Sequence, residues 1–144
     1  MNDLAVKAER LEALGRAIEA SYPPAHIETE HHLHAGVYSR TIYVPKGVAV
    51  VGLTVRIPTQ LIGCGHFRLT DGGVTAEFRG VHIFDGIAGR RAAVYALENS
   101  SFTMLFATQA KTVEEAENEF TDEPERLLTR KEEKQCPELP SQVP

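Results

Sequence analysis

Residues 3–21, DLAVKAERLEALGRAIEAS, set Leu4, Leu11, Leu14 and Ile18 at spacings of seven, three and four, the single stripe of an amphipathic helix. Asp3 is placed to cap its start, and Pro23 and Pro24 stop it and begin an extended run. A narrow stripe needs a surface to dock on, either the chain's own barrel or a partner subunit. From Ile27 to Thr108 the period changes to two. Runs rich in β-branched and aromatic residues predict strands over 37–44, 48–56, 61–69, 74–79, 81–84, 92–97 and 102–107. The breaks are Pro45-Lys46-Gly47, Asp71-Gly72-Gly73, Asp85-Gly86 and Asn99-Ser100. Short strands at this pitch suggest a sandwich or a jelly-roll barrel.

The run VAVVGLTV (48–55) is apolar at both parities and predicts a strand covered on both faces. In a small barrel the second cover is often another subunit, so a homodimer is expected. Residues 112–120, TVEEAENEF, read as a short helix with a Thr112/Glu115 capping box and Val113, Ala116 and Phe120 on one face. A further charged helix is expected over 125–134. The chain thus divides into an N-terminal helix with its proline stop (1–24), a β-barrel (25–110), an acidic helical segment (111–134) and a tail containing three prolines (135–144).

Length and composition add a compartment. A chain of 144 residues with 42% apolar residues suits one domain. No apolar run approaches the ~20 residues of a membrane span, and the charged N-terminus lacks a signal peptide's apolar stretch. Cys64 and Cys136 form no CxxC, which fits free thiols in a reducing compartment, so a soluble cytoplasmic protein is expected.

The net charge of −5 is unevenly spread. Residues 1–35 hold three basic and six acidic groups, 36–109 seven and four, and 110–144 five and ten. Six of the seven central cations are Arg (Arg40, Arg56, Arg68, Arg79, Arg90, Arg91), suited to carboxylate or phosphate forks; they would serve equally to pair with the acidic flanks. Nucleic-acid binding is not expected, because the acidic flanks oppose it and no stripe of cations and aromatics is present.

His31, His32 and His34 form the most suggestive cluster for chemistry. On an extended segment His32 and His34 share a side, the H-x-H spacing that strands offer a metal. Further ligands would have to come from His66, His82, Glu77 or Glu98, and a surface or capping role for the histidines is the other reading. No HExxH, P-loop, dinucleotide fingerprint or GxSxG elbow is present.

The segment HHLHAGVYSRTIYVPKGVAVVGLTV resembles the opening of the small cupin-like proteins commonly encoded by tailed phages and prophages, through His32, Gly36, Tyr38, Arg40, Ile42, Pro45, Gly47 and Gly52. GRRAAVYALENSSFTMLFAT resembles that family's closing part, through Gly89, Arg91, Tyr95, Ala96, Glu98 and Asn99. The resemblance covers about residues 31–108 and implies a mainly β, cupin-like jelly-roll (double-stranded β-helix) barrel between an N-terminal helix and short acidic C-terminal helices. It also implies a departure. Where metal-competent members carry histidines, this chain has Val55, Gln60 and Phe106. Alternation then turns Val51, Leu53, Phe102 and Met104 inward as well, giving a dry interior that is a poor metal cavity.

The reading that follows is a phage or prophage accessory protein that binds rather than catalyses, with no cofactor. Its target is a small, nucleotide-like anion or a host or virion protein. The ligand-binding candidates are Tyr38 and Arg40, which share a strand face, with Arg56, Gln60, Arg91 and Tyr95. In the plainer reading Arg40 pairs with Glu28, Glu30 or Glu98, or Glu98 neutralises Arg91. The alternatives are a metal-dependent cupin enzyme using His32, His34 and His66, and a structural component of the virion.

Overall fold

The computed structural model describes residues 2–127 and Arg130. The chain runs α1 (Asp3–Ser21), β1 (Glu28–His34), β2 (Val37–Val44), β3 (Ala49–Val51), β4 (Thr59–Thr70), β5 (Thr75–Gly86), β6 (Ala93–Ala96), β7 (Ser100–Ala107), α2 (Val113–Phe120) and a 3-10 turn at Pro124–Arg126. The strands form one curled antiparallel sheet in the order β1-β2-β7-β4-β6-β3, with β5 on the other edge of β4. The expected helix over 125–134 lies largely outside the described residues, as does the tail.

Strand β4 is the joint of the sheet. Its Gln60–Cys64 stretch pairs with β7, its Phe67–Thr70 stretch pairs with β6, and β5 accompanies it throughout. The change of partner falls at Gly65, whose φ is +134° and where a Cβ would lie 2.4 Å from Ser100 Oγ. Only glycine meets both conditions. Ser100 uses the close approach: its Oγ accepts from the His66 N–H and donates to the Glu98 carbonyl.

Four features of the elements differ from expectation. The strand over 48–56 shrinks to Ala49–Val51, because Gly52 turns its N–H onto the Ala92 carbonyl and the chain continues as a loop, bridged again at Val55 and Arg90. The strands over 74–79 and 81–84 are one strand, since Gly80 lies opposite Gly65 and the ladder passes through the pair without turning. Asp85 and Gly86 close that strand instead of forming a turn. Asn2, not Asp3, caps α1, its Oδ1 accepting from the Ala5 N–H at 2.7 Å.

Helix α1 docks on its own barrel. Gly15 sits against Val51, with 3.8 Å between the Val51 side chain and the position of a Cβ, so part of the second cover foreseen for this run is intramolecular. Val51 therefore faces α1 and not the interior. Of the stripe only Leu11 is buried, while Leu14 is 40% exposed. Polar clamps do the rest: Lys7 donates to Asp71 at 2.9 Å and Arg10 to the Gly72 carbonyl.

The interior face is set by alternation. Register puts Tyr38 opposite Phe106, Arg40 opposite Met104 and Ile42 opposite Phe102. Phe102 packs edge-on against Phe67. Tyr38 and Phe106 join Ala116 and Phe120 of α2 and Leu127 in one buried cluster, with Leu53, Val55 and Met104 packed against it. The capping box of α2 forms as expected on one side, Thr112 Oγ1 accepting from the Glu115 N–H, whereas the Glu115 carboxylate reaches one residue further back to the Lys111 N–H.

Candidate functional site

Tyr38 and Arg40 share the inward face of β2, where a ligand would be expected, and the structure fills that place with the chain's own helix. Arg40 Nη1 donates to Glu117 Oε2 at 3.1 Å, both side chains being at most 10% exposed. Arg130 donates to the other oxygen of Glu117, also at 3.1 Å. The Phe120 ring stacks on Tyr38 and lies 5.9 Å from the Arg40 guanidinium carbon. The Tyr38 hydroxyl is 2.7 Å from His31 Nδ1, and burial pushes the phenol up, with Arg40 opposing. Arg40 thus pairs with Glu117 and not with Glu28, Glu30 or Glu98. Glu117 was not among the residues singled out from the sequence, where TVEEAENEF offers four glutamates and no way to choose.

Arg56 serves the same helix. Its guanidinium donates to the carbonyls of Asn118 and Glu119 and to Asp122, and its own N–H to the Phe120 carbonyl. No basic residue stands in the last turn of α2, so a side chain from a distant loop caps its negative end. The remaining candidates do not join this site. Gln60 is exposed and donates to Asp85 at 3.0 Å. Arg91 is buried between Glu12 of α1, at 2.5 Å, and the Gly52 carbonyl, at 2.6 Å. Glu98 pairs with Lys46, not with Arg91. Tyr95 is 40% exposed on β6, opposite Arg68 of β4.

The histidines are likewise dispersed. His31 and Leu33 face inward from β1, so His32 and His34 face outward, His32 bonding Glu30 at 3.2 Å. His66 lies on β4, with β2 and β7 between it and β1, and bonds Glu77 at 3.0 Å. At ~4.8 Å per strand spacing, that separation exceeds a coordination sphere. Among the described residues no three His, Cys, Asp or Glu side chains are placed to hold a metal.

A cleft of about 360 Å³ opens outside the barrel, between the first turns of α1 and the loops on either side of β5, lined by Asp3, Leu4, Lys7, Asp71, Asp85, Ile87, Arg90 and Arg91. Lys7 bridges Asp3 and Asp71, and holds the Asp71 carboxyl down to about 2 with help from the Gly73 N–H. Arg90 has a different status. It donates to Thr59 Oγ1 at 2.5 Å and to the Ile87 carbonyl, lies over Gly86, and has no carboxylate within 4.0 Å among the described residues. Burial alone pulls the pKa of its guanidinium below the ordinary arginine value.

No family model matches the sequence, and no curated protein matches it. Solved structures do. A cupin-superfamily protein from Desulfitobacterium hafniense superposes with a TM-score of 0.50 at 10% identity, covering 62% of this chain and 84% of that one. The fold is a cupin-like jelly roll. KdgF from a Halomonas species (0.48; 17% identity; 62% and 87% covered) and an RmlC-like cupin with a double-stranded β-helix fold from Methanocaldococcus jannaschii (0.47; 14%; 61% and 85%) also match.

The family that residues 31–108 resemble has metal-competent members, and the residues of this barrel do not fit a metal. Val55 and Phe106 pack in the same apolar cluster; the inward polar groups beside them are a phenol, a guanidinium and one imidazole, that of His31, whose Nδ1 is engaged with the Tyr38 hydroxyl, and the neighbouring carboxylate is spent on two arginines, so no set of donors converges.

Proposed function

We propose that this cupin-like protein is a non-catalytic binding protein for a small anion, and that the anion occupies the Arg90 cleft and not the barrel interior. The observation that carries the reading is the half-buried Arg90 guanidinium, which has no carboxylate partner among the described residues. Desolvating a cation without a counter-charge is costly, and a ligand carboxylate or phosphoryl group would supply that charge. Leu4 and the largely exposed Ile87 give the same cleft an apolar wall, and its volume lies within the range of small-molecule sites. Barrel-interior binding has less support, because Tyr38, Arg40 and Arg56 already hold α2. The resemblance of residues 31–108 to phage and prophage proteins supports an accessory role in a host cell, in which sequestering a small metabolite is the simplest action.

Calorimetric titration with inorganic phosphate, adenosine monophosphate and hexanoate tests this. At least one should bind below millimolar, and Arg90→Gln should weaken it by on the order of tenfold or more, as loss of a charged hydrogen bond implies. Ile87→Glu, at an exposed position, should also abolish binding by adding to Asp3, Asp71 and Asp85 a further carboxylate that competes for Arg90. Absence of binding by all three probes, or binding that neither variant changes, overturns the proposal.

A further inference from the structure

The outer edge of the sheet carries a pattern that the barrel does not use and that meets the cleft only at Asp85. β5 is a 12-residue strand paired only with β4, and among the described residues nothing occupies its other edge. Long bare edges are aggregation hazards that proteins ordinarily blunt. Here the outward face of β5 instead displays Val81 and Ile83, 66% and 68% exposed. Arg79 and Asp85 flank them on the same face. Neither has an opposite charge within salt-bridge distance among the described residues; Asp85 bonds only the neutral Gln60 amide.

We propose that β5 pairs antiparallel with β5 of a second copy of this chain, about a two-fold axis at His82. In that register Val81 of each copy opposes Ile83 of the other, and Arg79 of each opposes Asp85 of the other. One antiparallel shift thus satisfies both apolar residues and both unpaired charges, twice over by symmetry. Registers centred one residue away bring Val81 or Ile83 opposite itself and leave Arg79 and Asp85 unmatched, so the pattern selects its own alignment. The occupant is a second copy because the segment is complementary to itself in charge and in apolar placement. Cross-strand pairs of both kinds stabilise antiparallel ladders. The backbone has capacity for the pairing: the Arg79 carbonyl accepts from His82 Nε2 at 2.7 Å, and a carbonyl oxygen has a second lone pair. The two sheets would then join into one across the axis, and Asp85, which also lines the Arg90 cleft, would stand near each end of the seam.

Sedimentation equilibrium across a range of protein concentrations tests the register. The wild type should form a dimer of twice 15.9 kDa. Arg79→Asp and Asp85→Arg, both at exposed positions, should each raise the dimer dissociation constant by on the order of tenfold or more, because each places like charges opposite one another at two symmetric points. The double variant Arg79→Asp/Asp85→Arg should restore the dimer to near wild-type strength, which a merely structural role for either residue would not produce. Ile83→Lys should give a folded monomer. A monomeric wild type, a dimer insensitive to the single reversals, or a double variant weaker than either single one overturns the proposal. So does a wild-type monomer whose Val81 and Ile83 methyl resonances move when residues 131–144 are deleted, since the edge would then belong to the chain's own tail.

Discussion

The Arg40–Glu117 pair shows how one contact redirects a functional reading. A guanidinium and a phenol on the inward face of a barrel strand have the chemistry to receive an anion, and the guanidinium does receive one, supplied by the chain itself, while the phenol hydroxyl meets His31. The pair is not an argument for unusual stability, because taking both charges out of water consumes most of the attraction between them. Its asymmetry is what can be measured. Glu117→Gln leaves a buried guanidinium without a counter-charge and should cost on the order of 3–5 kcal/mol by urea denaturation. The double replacement Arg40→Met/Glu117→Leu should recover most of that loss, since Arg130 still reaches the Glu114 carbonyl and Asn118. A double variant as unstable as the single one would show that the ion pair itself is required.

Among the elements, β4 governs the curl of the sheet, and it does so through one glycine. Gly47 and Gly65 both have positive φ, +83° and +134°, but nothing lies within 4 Å of a Cβ at Gly47 whereas Ser100 crowds Gly65. Gly47→Ala should therefore carry only the left-handed penalty of ~1–2 kcal/mol. Gly65→Ala adds a steric clash at the point where β4 passes from β7 to β6, and should cost several-fold more or prevent folding; equal midpoints for the two variants in urea would refute this account. Helix α2 is governed differently. Its eight residues are too few for independent stability, and its order rests on a side-chain cap at one end, the Arg56 guanidinium at the other and burial of Ala116 and Phe120 between them.

For the molecule as a whole, the attachment of α1 to the barrel is electrostatic as much as apolar. Hydrogen bonds from Arg91 and then Arg126 hold the Glu12 carboxyl below the usual range, and Lys7 with the Gly73 N–H holds Asp71 near 2. Both folded-state values are depressed, so the stabilisation is fully present above the ordinary carboxylate pKa of about 4 and is lost as pH falls toward 2. Amide hydrogen exchange in α1 should accelerate over that window before exchange in β2 and β7. Asp71→Asn should show faster α1 exchange at pH 7 and no difference from wild type near pH 2. Simultaneous loss of helix and sheet protection on acidification would contradict it.

Much of this was legible in one dimension. The helix over 3–21, the strand over 37–44 and the capping box at Thr112 follow from periodicity and turn chemistry, because those signals are local; periodicity left a sandwich and a jelly roll open, and the resemblance of residues 31–108 pointed to the jelly roll. The shared face of Tyr38 and Arg40 is local too, being a consequence of strand alternation. What Arg40 touches is not. Its partner lies 77 residues away, the cap on α2 comes from Arg56, Arg91 reaches back to Glu12, and Arg90 alone of these arginines has no carboxylate partner among the described residues. Sequence determined which groups are charged and which way each strand face turns. Tertiary structure decided which charges are already neutralised and which remain open, since that depends on long-range pairings that no local pattern encodes.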